Sequence, residues 1–160
     1  MSRLRLVINS DLEDVCLIAL SVNKICEYLR MDPVDAYRVE LCAVEAVTNA
    51  IRHAYGNRAG DEVAVTVCIR DNKLEVEVAD TGLAMLAAQV SRLSSGSDVF
   101  EFDARDRASL PVGGMGLQIM HEAMDEVSYQ SDGKVNRLLL SKRLSDQELD
   151  SVKNNVGARD

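Results

Sequence analysis

The chain has 160 residues, 47% of them hydrophobic and 28% charged, which excludes a disordered segment and suits one domain able to bury its own core. Eighteen basic against 26 acidic residues leave a net charge of −8, which argues against nonspecific binding to nucleic acid or to an anionic membrane. No run approaches the roughly 18 apolar residues of a membrane span and no apolar signal run follows the start, so a soluble, cytoplasmic protein is expected.

Residues 3–9 alternate, with Leu4, Leu6 and Ile8 on one side and Arg3 and Arg5 on the other, as a half-buried strand does. Ser10 and Glu13 have the spacing of a capping box, which predicts a helix with Val15, Ile18, Val22, Ile25, Cys26 and Leu29 inward, ending near Arg30. Asp32 and Pro33 open a second helix, an acidic cap with proline at the first helical position. Tyr37, Leu41, Val44, Thr48 and Ile51 form its apolar stripe, and Gly56 and Asn57 stop it. Within this helix Glu45 and Asn49 lie four residues apart, which stacks a carboxylate and a carboxamide on one side beside the apolar stripe.

Val63, Val65, Val67 and Ile69, a turn at Asp71 and Asn72, then Leu74, Val76 and Val78 read as an antiparallel hairpin. Its alternation carries Asp80 onto the buried face, where a carboxylate needs hydrogen-bond donors, although Asp80-Thr81-Gly82 also reads as a plain turn. Residues 83–112 lose periodicity and have the length of a lid, with room for a short helix between Leu83 and Leu93. Gly113, Gly114, Met115 and Gly116 then lead into an amphipathic helix carrying Leu117, Ile119, Met120, Ala123 and Met124. Glycines at a helix start leave backbone N–H groups open at the positive end of the dipole, which is what a phosphate chain binds. Residues 127–130 and 135–144 close the domain as two strands, and the tail from Ser145 is polar, with Ser145 and Glu148 able to cap one short turn. The cysteines, Cys16, Cys26, Cys42 and Cys68, lack C-x-x-C spacing and lie in apolar runs, which predicts buried free thiols. Met115, Met120 and Met124 are assigned to the core, and His121 to the exposed side of its helix.

An E-x-x-x-N pair on a helix, a D-x-G at a strand end and a G-x-G at a helix start after a long loop occur in that order. The sequence resembles the GHKL ATPase superfamily of gyrase, Hsp90-type chaperones, histidine kinases and MutL, and within it the small bacterial anti-sigma-factor serine-protein kinases of stress and sporulation control. The resemblance runs from the first strand to about Leu144 and is most specific at Val44–Ala50, at His53-Ala54-Tyr55, at Gly114–Leu117 and at Met124–Val127. It implies a two-layer α/β (α+β) sandwich of the Bergerat type, with a mixed, mainly antiparallel sheet and helices on one face. Residues 1–144 would form the ATPase domain and 145–160 a polar tail.

The resemblance further implies ATP and Mg²⁺ as cofactors. Glu45 would be the general base, Asn49 the magnesium ligand, and Asp80 the adenine-reading carboxylate with Gly82 allowing close approach. Gly113, Gly114 and Gly116, with Met115 and Leu117, would cradle phosphate. Arg52 could face the phosphates, His53 packs at the helix end, and Arg105 or Arg107 could reach in from the lid. Ala84 departs from the family pattern, where a second glycine is common. The implied role is sequestering a sigma factor or similar effector and phosphorylating a serine of a STAS-type antagonist, as a homodimer. The alternative is a nucleotide-dependent binding module without transfer. A sensor histidine kinase is disfavoured, because no phosphoacceptor helix precedes the domain in this sequence.

Overall fold

The computed structural model describes residues 2–95 and 115–156. Five strands, β1 (Ser2–Asn9), β2 (Glu62–Arg70), β3 (Lys73–Asp80), β4 (Glu126–Ser131) and β5 (Asn136–Arg143), form one sheet in the order β1-β2-β3-β5-β4. Every described pairing is antiparallel, so the sheet expected to be mainly antiparallel is wholly so among these residues. Antiparallel register sets Leu6 opposite Val65, Val65 opposite Val78 and Val78 opposite Leu138, which makes one apolar face continuous across four strands. At the β2–β3 turn Asp71 and Asn72 both take positive φ, 50° and 61°, which short polar side chains tolerate and which matches the twist of a tight hairpin.

The helices α1 (Val15–Tyr28), α2 (Pro33–Asn49) and α4 (Met115–Ala123) contribute to the core on the apolar face. Helix α3 (Ala87–Ser95) supplies the short helix for which residues 83–93 left room, and buries Leu93. Ile18, Val22, Val39, Val47, Ile51, Val65 and Leu140 are among the fully buried side chains, each worth roughly 1.5–3 kcal/mol of transfer from water.

Three local expectations change. Asp11 caps a 3₁₀ turn at Leu12–Asp14, its carboxylate accepting from the Glu13 N–H at 3.0 Å, and α1 follows from Asp14 without a side-chain cap of its own. Ser10 is buried instead: its hydroxyl donates to the Arg58 carbonyl at 2.6 Å and accepts from the Asp61 N–H at 3.1 Å, tying β1 to the loop before β2. The inward stripe of α2 is also rotated from the one expected. Ala36, Val39, Cys42, Ala43, Ala46 and Val47 are buried, whereas Tyr37 is 59% exposed. Small side chains let α2 lie close to α1 and the sheet, and that close approach outweighs side-chain size in choosing the buried face. Third, the tail from Ser145 forms a full helix, α5 (Asp146–Val156), opened by a capping box in which the Ser145 N–H and hydroxyl each donate to Glu148 at 2.6 Å. Leu149 packs against the core and Ser151 is buried.

Helix α1 ends near the expected point. Arg30 takes φ +56°, and the Arg30 and Met31 N–H groups return to the Glu27 and Cys26 carbonyls at 2.9 and 3.1 Å, a two-bond C-terminal cap. Arg3 and Arg5 lie on the open sheet face as expected, but Glu75 and Glu77 there are half-buried and Glu75 is paired with Arg70 at 2.9 Å. Cys26 and Cys42 are buried, and burial pushes their thiols up to about 12 and about 11, which leaves them protonated and inert at neutral pH. Cys68 is also buried, on the open sheet face beside Glu75, while Cys16 is exposed, against expectation.

Candidate functional site

The C-terminal end of β3, the N-terminal end of β5 and the C-terminal part of α2 converge at one end of the molecule. Asp80, last in β3, stands in register with Asn136, first in β5. Both are buried. Oδ1 of Asp80 accepts from Asn136 Nδ2 at 2.7 Å and from the Gly82 N–H at 2.9 Å, and Asn136 Nδ2 also donates to the Gly82 carbonyl at 3.1 Å. Burial pushes the Asp80 carboxyl above the usual carboxylate range, and these two donors act against that rise. Among the described residues nothing donates to Oδ2, which leaves the carboxylate one open acceptor.

The turn after Asp80 is fixed from below by α2. Helix α2 passes at Asn49 into a single π turn, Ala50–Ala54, closed by the Tyr55 N–H donating to the Ala50 carbonyl at 3.1 Å. Such turns insert a residue into the helix and recur at functional sites. The Ala54 carbonyl receives the Leu83 N–H at 2.9 Å. A Cβ on Gly82 would stand 2.4 Å from that carbonyl oxygen, so position 82 has to be glycine for the turn to dock. Tyr55 completes the join: its hydroxyl donates to the Glu62 carbonyl at 2.6 Å and accepts from the Thr81 N–H at 2.9 Å. Gly56 and Asn57 follow with positive φ, as the expected stop.

Glu45 and Asn49 sit half-buried one turn apart on α2, and α4 begins over them. A Cβ built on Gly116 would lie 2.6 Å from Glu45 Oε2 and 3.5 Å from Asn49 Nδ2. Gly116 at the start of α4 and the acid–amide pair, 67–71 residues apart in sequence, are thus one place in the fold. Leu117 is half-buried behind Gly116 and packs on the core. Arg52 and His53 are exposed on the π turn, and Ala84 is exposed beyond Gly82. Gly113, Gly114, Arg105 and Arg107 lie outside the described residues, as does the side chain of Met115.

His121 departs from expectation. It is half-buried, and its Nε2 is the one fully enclosed side-chain polar atom without a hydrogen-bond partner among the described residues. Met120 and Met124 are buried in the core as expected.

Asn136 was missed by sequence reasoning, although a signal for it exists. The parity that places Leu138 and Leu140 inward also places Asn136 inward, the same argument that singles out Asp80. Asp80 as the partner of that amide becomes visible only when β3 and β5 are neighbours.

Comparison with known proteins fits this geometry. A family model described as the histidine kinase-like ATPase domain matches residues 8–142, from the end of β1 to the end of β5. The chain belongs to this histidine kinase-like ATPase family. Within it, the chain is 28% identical over 154 residues to a protein named serine-protein kinase RsbW from Bacillus velezensis, covering 89% of this chain and 86% of the relative. It is 32% identical over 110 residues to a protein named anti-sigma F factor from Clostridium acetobutylicum, covering 67% and 69%. This histidine kinase-like ATPase thus groups with the anti-sigma-factor serine-protein kinases. A chain in the crystal structure of the SiaB–SiaC complex from Pseudomonas aeruginosa shares its fold, with a TM-score of 0.57, 14% identity and coverage of 85% and 88%. No described helix is long and apolar enough to cross a membrane.

Proposed function

We propose that this protein is an ATP-dependent serine-protein kinase that also acts as an anti-sigma factor, holding a sigma factor or similar effector and phosphorylating a serine on a STAS-type antagonist as a homodimer in the cytoplasm. The observation that carries the reading is the seat of Gly116 against Glu45 and Asn49, because it sets an acid and an amide beside the helix start that would receive phosphate. A binding module without transfer has no use for the acid.

In this reading Asp80 Oδ2 accepts from the adenine amino group, and Gly82, pressed onto the π turn, holds that carboxylate's neighbour out of the way of the base. The open N–H groups at the start of α4, with Gly113 and Gly114 before them, receive the phosphates, and exposed Arg52 adds positive charge at the same end. The site suits Mg²⁺: Asn49 would offer an amide oxygen, and Mg²⁺ ordinarily completes its shell with phosphate oxygens and water. When bound, the ion neutralises charge on the transferring phosphoryl group. Glu45 takes the proton of the substrate serine as its oxygen forms a bond to the γ-phosphorus, and the bond from that phosphorus to the bridging oxygen breaks to release ADP.

The test uses γ-labelled ATP, Mg²⁺ and the STAS-domain proteins of the same genome. Label should appear on a partner serine and fall by at least about a hundredfold with Glu45→Ala. Mg-ATP affinity should meanwhile stay within about threefold, a difference of less than 1 kcal/mol. Labelling that survives Glu45→Ala would remove the proposed base. No label on any candidate, with ATP bound, would favour the sequestering module.

A further inference from the structure

Asn136 leaves the Asp80 carboxylate with one usable oxygen. Its Nδ2 carries two hydrogens, one on Asp80 Oδ1 at 2.7 Å and the other on the Gly82 carbonyl at 3.1 Å. The Gly82 N–H takes the second acceptor site of the same Oδ1 at 2.9 Å, which fills it. The amide cannot be turned round, because its own oxygen would then face two acceptors at once. Asn136 is 3% exposed, so neither water nor a ligand displaces it easily.

We infer that Asn136 is a specificity-determining residue that restricts the base site to adenine and rejects guanine by keeping Asp80 Oδ1 occupied. This rests on the reading of Asp80 as the base-reading group. Guanine presents an imino N–H beside an exocyclic amino group, two parallel donors that a carboxylate with both oxygens free accepts as a fork. Adenine presents one amino donor beside an acceptor nitrogen. A carboxylate reduced to Oδ2 serves the second pattern and leaves the first with a buried, unpaired N–H. Asn136 therefore acts as a positioning residue through Asp80, and selection works by withholding a partner from the wrong base.

Calorimetry of Mg-ATP and Mg-GTP with the full chain, Asn136→Leu, Asn136→Ala and Asp80→Asn provides the test. Leucine has nearly the shape of asparagine and no donor, and alanine serves if leucine prevents folding. Wild type should prefer ATP, and either Asn136 variant should raise GTP affinity relative to ATP by at least about tenfold, or 1.4 kcal/mol. A purely structural role would weaken both nucleotides alike. An unchanged ratio in a folded variant, or wild type binding GTP as tightly as ATP, overturns the inference. Unchanged ATP affinity in Asp80→Asn would instead overturn the reading of Asp80 on which it rests.

Discussion

At the scale of single residues, the proposed base-reading role of Asp80 is coupled to stability. Burial raises its carboxyl above the ordinary range, so the folded state binds the proton more tightly than the unfolded chain does. The favourable contribution is then complete below the ordinary carboxylate range and is lost as pH rises through the raised value. Asp80→Asn keeps an oxygen for Asn136 and Gly82 and removes the charge. The variant should melt above wild type at pH 7, with the difference shrinking toward pH 3, while ATP affinity falls by at least about a hundredfold. A melting difference that does not change with pH would show that the carboxylate's ionisation is not its source. The burial of this residue followed from alternation, although the same residues also read as a plain turn, because a charge on an apolar face signals a requirement that something else must meet. What meets it was not legible, since Asn136 stands 56 residues away and the pairing of β3 with β5 is a tertiary fact.

At the scale of elements, two glycines make opposite predictions. Gly82 faces the backbone of Ala54, which cannot yield, so Gly82→Ala should cost about 1–3 kcal/mol and loosen the turn after β3. Gly116 faces the far end of the Glu45 side chain, which can swing aside. Gly116→Ala should therefore change stability by less than about 1 kcal/mol yet displace the carboxylate and depress phosphotransfer. Urea melts beside transfer assays separate the two, and a Gly116→Ala variant with full transfer would mean that the contact is incidental. Helix α2 was readable from its cap and α4 from its period. The π turn was not, because one inserted residue at Ala50–Ala54 changes the phase of a helix without any signature in composition. The rotated stripe of α2 was hidden for a related reason: its buried positions are mostly alanine, cysteine and valine, and size alone pointed to Tyr37.

At the scale of the whole molecule, α5 closes a core that the family match leaves at residue 142. Its Leu149 packs on that core, and Glu148 lies close enough to Cys26 to help raise its thiol. A chain ending at Leu144 should fold and be less stable by about 1–2 kcal/mol, and Cys26 should react with a thiol reagent faster than in the full chain. Equal melting curves and equal thiol reactivity would make α5 an appendage, as its polar sequence suggested. The strands and most of the helices follow from alternation and helical period, whereas the strand order and the value of the tail depend on neighbours met only after folding. The docking of Gly116 on α2, and of Gly82 on the π turn that extends it, has a last consequence. Gly116 rests on Glu45 and Gly82 on Ala54, nine residues and about 13 Å farther along the same axis. In the proposed reading, α2 and the π turn that extends it would set the spacing between the base end and the transfer end of the nucleotide. On that reading a ligand shortened by one phosphoryl group should still engage the Gly82 end and fall short at the other, so that the spacing would register nucleotide length.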